Sequence, residues 1–480
     1  MSLVRLKDYN TNDTIAAIAT FLSKSALGVI KISGKDAINI IHKVFIPRRK
    51  KDIRKAKTYT LHYGWIFNGL KRGKKSMVDE VLVSIMRKPS SYTCEDVVEI
   101  SCHGGAVVLN KILEVILKQG ARLARPGEFT YRAFLNGRID LLQAEGIKTI
   151  VDAKTDKALQ TAVSQLKGEA FEKFNEVKEA VKDVFLSMEA DINFPEDDTK
   201  VELKGVKNKI QKISAAIKAI QDADKESKII KDGLVCVICG KTNAGKSTLF
   251  NTLLQEERVI VSEVAGTTRD AIEETINIRG IPLRIFDTAG ILTPENFIEK
   301  KALEKSSKIF SEADLIMLVL DGSRPMEKDD FFLLNKIKNL RDREDNGREC
   351  KKSVIVIINK SDLAQKLNLK NISRLKCLKV KLSALCKEGI EDLEKAIVRA
   401  AGSFSGKKED LVFLNRYQSE ILKSAHKDIR EAQIYLSEGR EIDLVNLSLK
   451  NALDNLGKLT GEVFCEELLE SIFNDFCIGK

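Results

Sequence analysis

The chain has 480 residues, enough for about three ordinary domains, and 80 Lys and Arg against 69 Asp and Glu give it a formal charge of +11. Its 43% hydrophobic content excludes wholesale disorder, 7 Pro and 28 Gly exclude collagen-like or proline-rich low complexity, and 9 Cys are too sparse for a disulfide scaffold. No apolar run reaches the roughly 18–20 residues that span a bilayer, and Met1–Thr14 holds no signal-peptide core, so the chain reads as cytoplasmic with no membrane partner; its charge permits a nucleic acid without requiring one.

Residues 1–135 mix short β-rich runs (Ile30–Ile32, Thr58–Tyr63, Val81–Met86, Val97–Ile100) with helical segments such as Val107–Leu117, which predicts an α+β domain. From Leu141 to about Ile230 the apolar residues recur at helical spacing: Leu159, Val163, Leu166, then Val177, Val181, Phe185, Met188. Long helices are expected there, with a break at Phe194-Pro195. Residues 233–394 alternate strands and helices, as a parallel sheet requires, and helical texture returns from Leu411. The expected fold is therefore multidomain. An α+β N-terminal domain spans 1–135. An all-α domain is built from two separated segments, 136–230 and 396–480, and an α/β domain over 231–395 is inserted between them. Cys236 and Cys239 form a C-x-x-C, but Leu234–Cys239 reads as a buried strand, on which residues three apart face opposite sides, so a structural role is expected.

The strand Leu234–Cys239 runs into Gly240-Lys241-Thr242-Asn243-Ala244-Gly245-Lys246-Ser247, and Thr248-Leu249-Phe250 begins a helix. This is a phosphate loop in its proper context. Its glycines let backbone N–H groups wrap a phosphate, Lys246 is expected to reach the β- and γ-phosphates, and Ser247 to ligate Mg²⁺. Asp287-Thr288-Ala289-Gly290 follows the strand Leu283–Phe286, which suits Asp287 to a place near Mg²⁺ and the Gly290 N–H to the γ-phosphate. Asn359-Lys360-Ser361-Asp362 ends the apolar run Val354–Ile358. An aspartate there can accept two hydrogen bonds from guanine, which adenine cannot supply, so GTP is the expected substrate. Ser383-Ala384 lies where a loop backs the base. In this order the four motifs resemble the Ras-like P-loop GTPases over 233–394.

Many such proteins place a glutamine directly after the Asp-x-x-Gly motif to orient the attacking water. Here Ile291 stands in that place and cannot hydrogen-bond, so another group is needed, with candidates between Glu295 and Glu304. The segment Ala265-Gly266-Thr267-Thr268-Arg269-Asp270 suits a first switch, where a threonine hydroxyl completes Mg²⁺ coordination.

Further motifs make the whole chain resemble the tRNA-modification GTPase family MnmE, also called TrmE. They include Ala-Gly-Thr-Thr-Arg-Asp, Asn243, the final Cys477-Ile478-Gly479-Lys480, and the opening Asp13–Thr20. They also include Ser91-Tyr92-Thr93 with Glu95-Asp96, Cys102-His103-Gly104-Gly105, Ala124–Thr130, and Arg132–Gly137 with Asp140-Leu141 and Gln143-Ala144-Glu145. The resemblance implies a folate-binding N-terminal domain that also dimerises, a helical domain and an inserted G domain. It implies a homodimer whose G domains pair with GTP and K⁺, the cation standing where an arginine finger's charge would. Asn243, Ser262, Val264 and Thr267 would hold K⁺; Ser247 and Thr268 would hold Mg²⁺. Nucleotide contacts extend to Thr248, Glu263, Ala265, Gly266 and Leu385. Lys246 and Glu299 take catalytic roles, Glu299 filling the vacancy left by Ile291.

The family's implied chemistry adds an aminomethyl or carboxymethylaminomethyl group at C5 of the wobble uridine of certain tRNAs. The resemblance implies that a 5,10-methylene- or 5-formyl-tetrahydrofolate would be bound through Lys31, Glu99, Arg138 and Lys480. The flavoprotein MnmG joins in a heterotetramer or larger complex, and Cys477 serves the modification. The chain departs from the family pattern in the loop Phe21–Leu27, in Lys31 for arginine, in Cys94 for glycine, and in Ala302 for glycine. A different class also accounts for the G domain and the charge: a Ras-like switch that binds rRNA during ribosome assembly. It does not need the N-terminal or C-terminal motifs, and no Gly-x-x-Gly loop of the KH type is apparent.

Overall fold

The structure, a computed structural model, describes residues 12–49, 52–68, 76–193, 203–256, 273–287, 313–344, 353–368, 372, 377–401, 411–463, 466–473, 476 and 479. They divide into two compact units, one of residues 1–148, 164–219 and 414–480 and the other of 149–163 and 220–413.

In the first unit, strands β1 (Ile15–Ile18), β2 (Leu27–Ser33), β3 (Phe45–Pro47), β4 (Thr60–Asn68), β5 (Ser76–Met86), β6 (Val97–His103) and β7 (Arg122–Leu123) form one sheet, in the order β3-β4-β5-β6-β2-β1-β7. Neighbours are antiparallel except β1 and β7. Helices α1 (Ala37–Val44) and α2 (Ala106–Leu117) cover one face, packing Ile41, Leu109, Ile112 and Ile116 on Ile30, Ile32, Val83, Ile85 and Ile100. The two-residue period then sends Leu27, Lys31, Leu82 and Glu99 to the opposite face, where Leu27, Leu82 and, on β4, Leu61 are exposed. Strand β5 starts five residues before the Val81 expected from the pattern. Asp79 and Glu80 hide that stretch from an apolar reading: Glu80 lies on the open face, which tolerates it, and Asp79, opposite Ile66, accepts the His103 backbone N–H at 2.9 Å.

Helix α3 (Glu128–Leu135) buries Arg132, 1% exposed, in a charged cluster. Arg132 donates to Asp13 at 2.6 Å, Glu128 at 3.1 Å and Glu95 at 3.2 Å; Arg122 spans Asp13 and Glu128, both at 2.7 Å. Helices α4 (Leu141–Asp152), α5 (Asp156–Leu166), α6 (Glu169–Asn193) and α7 (Leu203–Asp232) follow, the last two 25 and 30 residues long, as the helical spacing predicts.

The second unit, which takes in the end of α4, most of α5 and the end of α7, is built on a doubly wound sheet. Strands β8 (Leu234–Cys239), β9 (Glu273–Ile278), β10 (Ile281–Asp287), β11 (Leu315–Asp321), β12 (Ser353–Asn359) and β13 (Leu378–Lys381) take the order β13-β12-β11-β8-β10-β9, with only β9 antiparallel to its neighbour. Leu249 and Leu253 of α8 (Lys246–Glu256) lie on one face. Leu333 and Ile337 of α9 (Lys328–Glu344) lie on the other, and Leu393 and Ile397 of α10 (Ile390–Ala400) share the face of α8. Cys236 belongs to the first face and Cys239 to the second, both fully or almost fully buried, and burial pushes the Cys239 thiol up to about 12. They are packing residues, as the strand reading expects.

The chain then returns to the first unit. Helix α11 (Arg416–Glu438) starts with a capping box between Asn415 and Gln418 and stops at Gly439, φ 66°. Helix α12 (Ile442–Thr460) packs along α11 and α6. In α13 (Glu466–Phe473), Phe473 meets the Tyr131 ring edge-on at 5.2 Å. Among the described residues no helix is long and apolar enough to cross a membrane.

Candidate functional site

The phosphate loop leaves the carboxyl end of β8 and enters α8 at Lys246. A Cβ on Gly240 would lie 2.3 Å from the Val319 carbonyl oxygen, so the first bend needs glycine. Asn243 and Gly245 both take left-handed backbone, φ 65° and 93°. The Ala244 N–H donates to the Lys241 carbonyl at 3.2 Å and the Leu249 N–H to Gly245 at 2.9 Å, so the turn passes directly into the helix. Lys246 Nζ donates to the Lys241 carbonyl at 2.9 Å. The first N–H groups of α8 have no helical partner, and with the helix dipole they make a site for an anion. Asn243, Ser247 and Thr248 are exposed around it. The Ser247 hydroxyl and the Asn243 amide oxygen are hard oxygen donors, the chemistry that Mg²⁺ and K⁺ require.

Asn359, at the carboxyl end of β12 and 2% exposed, binds this loop to the base end of the site. Its Nδ2 donates to the Ala244 carbonyl at 2.9 Å, and its Oδ1 accepts the Ala384 N–H at 3.0 Å. The Thr252 hydroxyl of α8 also donates to the Ala384 carbonyl, at 3.0 Å. Lys360, φ 63°, donates to Asp321 at the end of β11, 2.7 Å away. Burial alone would raise the Asp321 carboxyl, but the Lys360 ammonium and the Ser323 hydroxyl and N–H outweigh it and hold the pKa below its ordinary value. The Ser361 N–H donates to Leu382 at 3.1 Å, and Ser383 accepts the Cys386 N–H at 3.2 Å. Asp362 and Leu385 are exposed, the carboxylate open to two hydrogen bonds from a base edge. Asp287 ends β10 opposite Ile238. These groups gather at the carboxyl ends of parallel strands, where doubly wound sheets bind ligands.

A second cluster lies on the sheet of the first unit. Lys31 and Glu99 are cross-strand partners, with their charges 3.7 Å apart. Lys31 Nζ lies 5.9 Å and the Arg138 guanidinium 4.7 Å from the centre of the Tyr92 ring. The Tyr92 hydroxyl is 2.9 Å from Thr130 Oγ1, and burial raises its pKa against the opposing pull of that bond and of Arg138. Cys94 follows in the same loop with φ 58°, a left-handed position that explains a glycine there better than a cysteine. The C-terminal tail reaches this sheet: Gly479, φ 94°, leaves no room for a Cβ, which would stand 2.6 Å from the Ile18 carbonyl oxygen on β1. Two cations and a carboxylate around an aromatic ring can hold a planar heterocycle with N–H donors and an anionic tail.

Comparison with known proteins places the chain. The family model "MnmE helical domain" matches residues 141–477, and "GTP-binding protein TrmE N-terminus" matches 14–138. A tRNA modification GTPase MnmE of Thermoanaerobacter pseudethanolicus is 42% identical over 98% of this chain and 99% of its own; that of Clostridioides difficile is 41% identical over the same shares. The chain belongs to the MnmE family of tRNA modification GTPases. As a member of that family it is a GTP hydrolase, with GTP as substrate. The solved G domain of the T. maritima FeoB iron transporter overlaps 35% of this chain and 98% of that one at 25% identity, with a TM-score of 0.27.

Of the residues expected from sequence, the structure brings together Asn243–Thr248, Asn359–Asp362 and Ser383–Leu385, and separately Lys31, Glu99 and Arg138. Ser262–Thr268, Thr288–Gly290, Glu299, Cys477 and Lys480, together with the Asp287 side chain, lie outside the described residues. Sequence reasoning missed Asp321 as the partner of Lys360 and Tyr92 as the shared ring. An acidic residue closing an apolar strand, Leu315–Asp321, was the available signal for the first.

Proposed function

We propose that this MnmE-family GTPase works with the flavoprotein MnmG to add an aminomethyl or carboxymethylaminomethyl group at C5 of the wobble uridine of certain tRNAs in the cytoplasm. The observation that carries this reading is the Lys31–Glu99–Arg138 cluster around Tyr92. It is a second ligand site, in a unit other than the one that holds the phosphate loop, and a stand-alone GTP switch has no use for it. A tetrahydrofolate suits it: the pterin edge donates to Glu99, and the glutamate tail meets Lys31, Arg138 and Lys480. The exposed apolar side chains on the same open face, Leu27, Leu61 and Leu82, support its use as the homodimer contact.

In the hydrolytic half, the α8 N-terminus and Lys246 bind the phosphates, and Asp362 selects guanine. Ser247 and Thr268 hold Mg²⁺, which neutralises phosphate charge, while Asn243, Ser262, Val264 and Thr267 hold K⁺, which adds positive charge. Glu299 orients the attacking water in place of Ile291. Cys477 acts in the modification rather than in hydrolysis. The deciding experiment is mass spectrometry of wobble uridines from cells lacking the protein. Loss of the C5 adduct with return on complementation supports the reading; unchanged nucleosides overturn it.

A further inference from the structure

Helix α7 carries a charge pattern that neither ligand site uses. From Leu203 to Gln221 it holds five lysines and no carboxylate. Val206, Ile210, Ile213 and Ile217 are buried and mark the side turned to the core. At 3.6 residues per turn, Lys204, Lys207, Lys212 and Lys218 fall on the opposite side with Asn208 and Gln211, and all six are exposed. The other long helices of this unit do not look like this. Helix α6 has three lysines against seven carboxylates, and α12 two against two. A solvated face in this molecule ordinarily mixes signs, as α7 itself does from Asp222 onward, so the single-sign face of Leu203–Gln221 calls for an anionic partner.

The neighbouring helix extends the pattern. The Ser214 hydroxyl of α7 lies 3.2 Å from His426 Nε2 of α11. Three residues before and four after His426, on the same flank of α11, stand Lys423 and Arg430, both exposed. The carboxylates of α11 lie further round and are engaged: Glu420 with Arg416 at 3.2 Å, Glu431 with Lys427 at 3.6 Å, Asp428 with Asn455 at 2.9 Å and Glu438 with Arg440 at 2.7 Å. Among the described residues no ion pair reaches Lys204, Lys207, Lys212, Lys423 or Arg430. The strip runs about 21 Å from Lys204 to Lys218 at the helical rise per residue.

We propose that this strip, Lys204, Lys207, Lys212 and Lys218 of α7 with Lys423 and Arg430 of α11, docks the phosphodiester backbone of the tRNA. The proposal rests on the tRNA reading above and supplies a surface for it. Flexible cations meeting phosphates position an RNA without reading its bases, which suits one protein that serves several tRNAs.

The test is binding of the full-length protein to an unmodified tRNA transcript, by fluorescence anisotropy over a series of KCl concentrations. The triple variant Lys207→Glu/Lys212→Glu/Arg430→Glu is expected to bind at least about tenfold more weakly, with the log–log salt slope reduced by about three. A control with reversed charges elsewhere, Lys35→Glu/Lys379→Glu, stays within about twofold of wild type. GTP hydrolysis without RNA is unchanged in both. The alanine triple at the same positions, compared by circular dichroism, loses affinity in the same direction, which separates lost charge from misfolding. A triple variant that binds with wild-type affinity and slope overturns the strip. If that variant also restores wobble-uridine modification in deleted cells, the tRNA reading stands without the strip. If the wild type binds no tRNA and the nucleosides are unchanged in deleted cells, both fall.

Discussion

Asn359 does most of the joining in the GTP site. Its amide holds Ala244 of the phosphate loop and Ala384 of the base loop at once, from a fully enclosed position. Asn359→Ala leaves one buried carbonyl and one buried N–H without partners, each costing about 1–3 kcal/mol. Guanine nucleotide affinity is expected to fall by tenfold or more, as read by titration with a fluorescent GDP; an unchanged Kd would show that the two loops hold their places without it. Gly245→Ala acts on the same joint from the other side, because a Cβ there would sit 2.1 Å from Asn359 Nδ2 on a backbone with φ 93°. The motif residues were legible because each motif is local, a few residues whose spacing announces the turn. Asn359 as a bridge was not legible, since its partner Ala244 is 115 residues away in the chain. Tyr92 was hidden for the same reason: only the fold brings Lys31 and Arg138 to one ring.

At the scale of elements, the charged cluster under α3 sets the acid limit of the N-terminal sheet. Burial alone would raise the carboxyls of Asp13 and Glu128, but the hydrogen bonds and charges of Arg122 and Arg132 outweigh it, so both pKa values lie below their ordinary range. A carboxylate with a lowered folded-state pKa contributes stability that is present above its unfolded value and lost as pH falls through the folded one. The sheet should therefore melt at a nearly constant temperature near neutrality and weaken below about pH 4. The one tryptophan of the chain, Trp65 on β4, reports this unit selectively by fluorescence. Arg132→Ala removes one of the two guanidinium partners of Glu128, which keeps Arg122, and one of the two of Asp13, and should cost about 1.5–3 kcal/mol in Trp65-monitored urea unfolding. A variant as stable as wild type would mean that the cluster is solvated. Strand order and this cluster lay beyond sequence reasoning, because Asp13 and Arg132 are 119 residues apart. The helices were legible because a 3.6-residue period repeats over the 25 and 30 residues of α6 and α7.

For the whole molecule, hydrolysis and modification should separate under the right changes. Asn243 and the first switch resemble a monovalent-cation site, so GTP turnover should be several-fold faster in KCl than in NaCl at equal ionic strength. Equal rates in the two salts would remove K⁺ from the scheme. The second separation concerns the C-terminal tail. Phe476 and Gly479, on either side of Cys477, are buried, and the Gly479 backbone approaches β1 too closely for any side chain. The strand partner of Ala17 on β1 is Lys31, so the tail is anchored on the same sheet as the second ligand cluster. Cys477→Ser removes the thiol and keeps the anchor; Gly479→Ala keeps the thiol and forces the anchor apart. Both should abolish the wobble-uridine adduct in complemented cells while leaving GTP turnover within about twofold, since neither touches the phosphate loop. If only Cys477→Ser fails, the thiol acts without the anchored tail. If only Gly479→Ala fails, the tail is a structural clamp and the thiol is dispensable. Failure of both with GTP hydrolysis intact is the result that ties the reactive group to the sheet holding Lys31, Glu99 and Arg138.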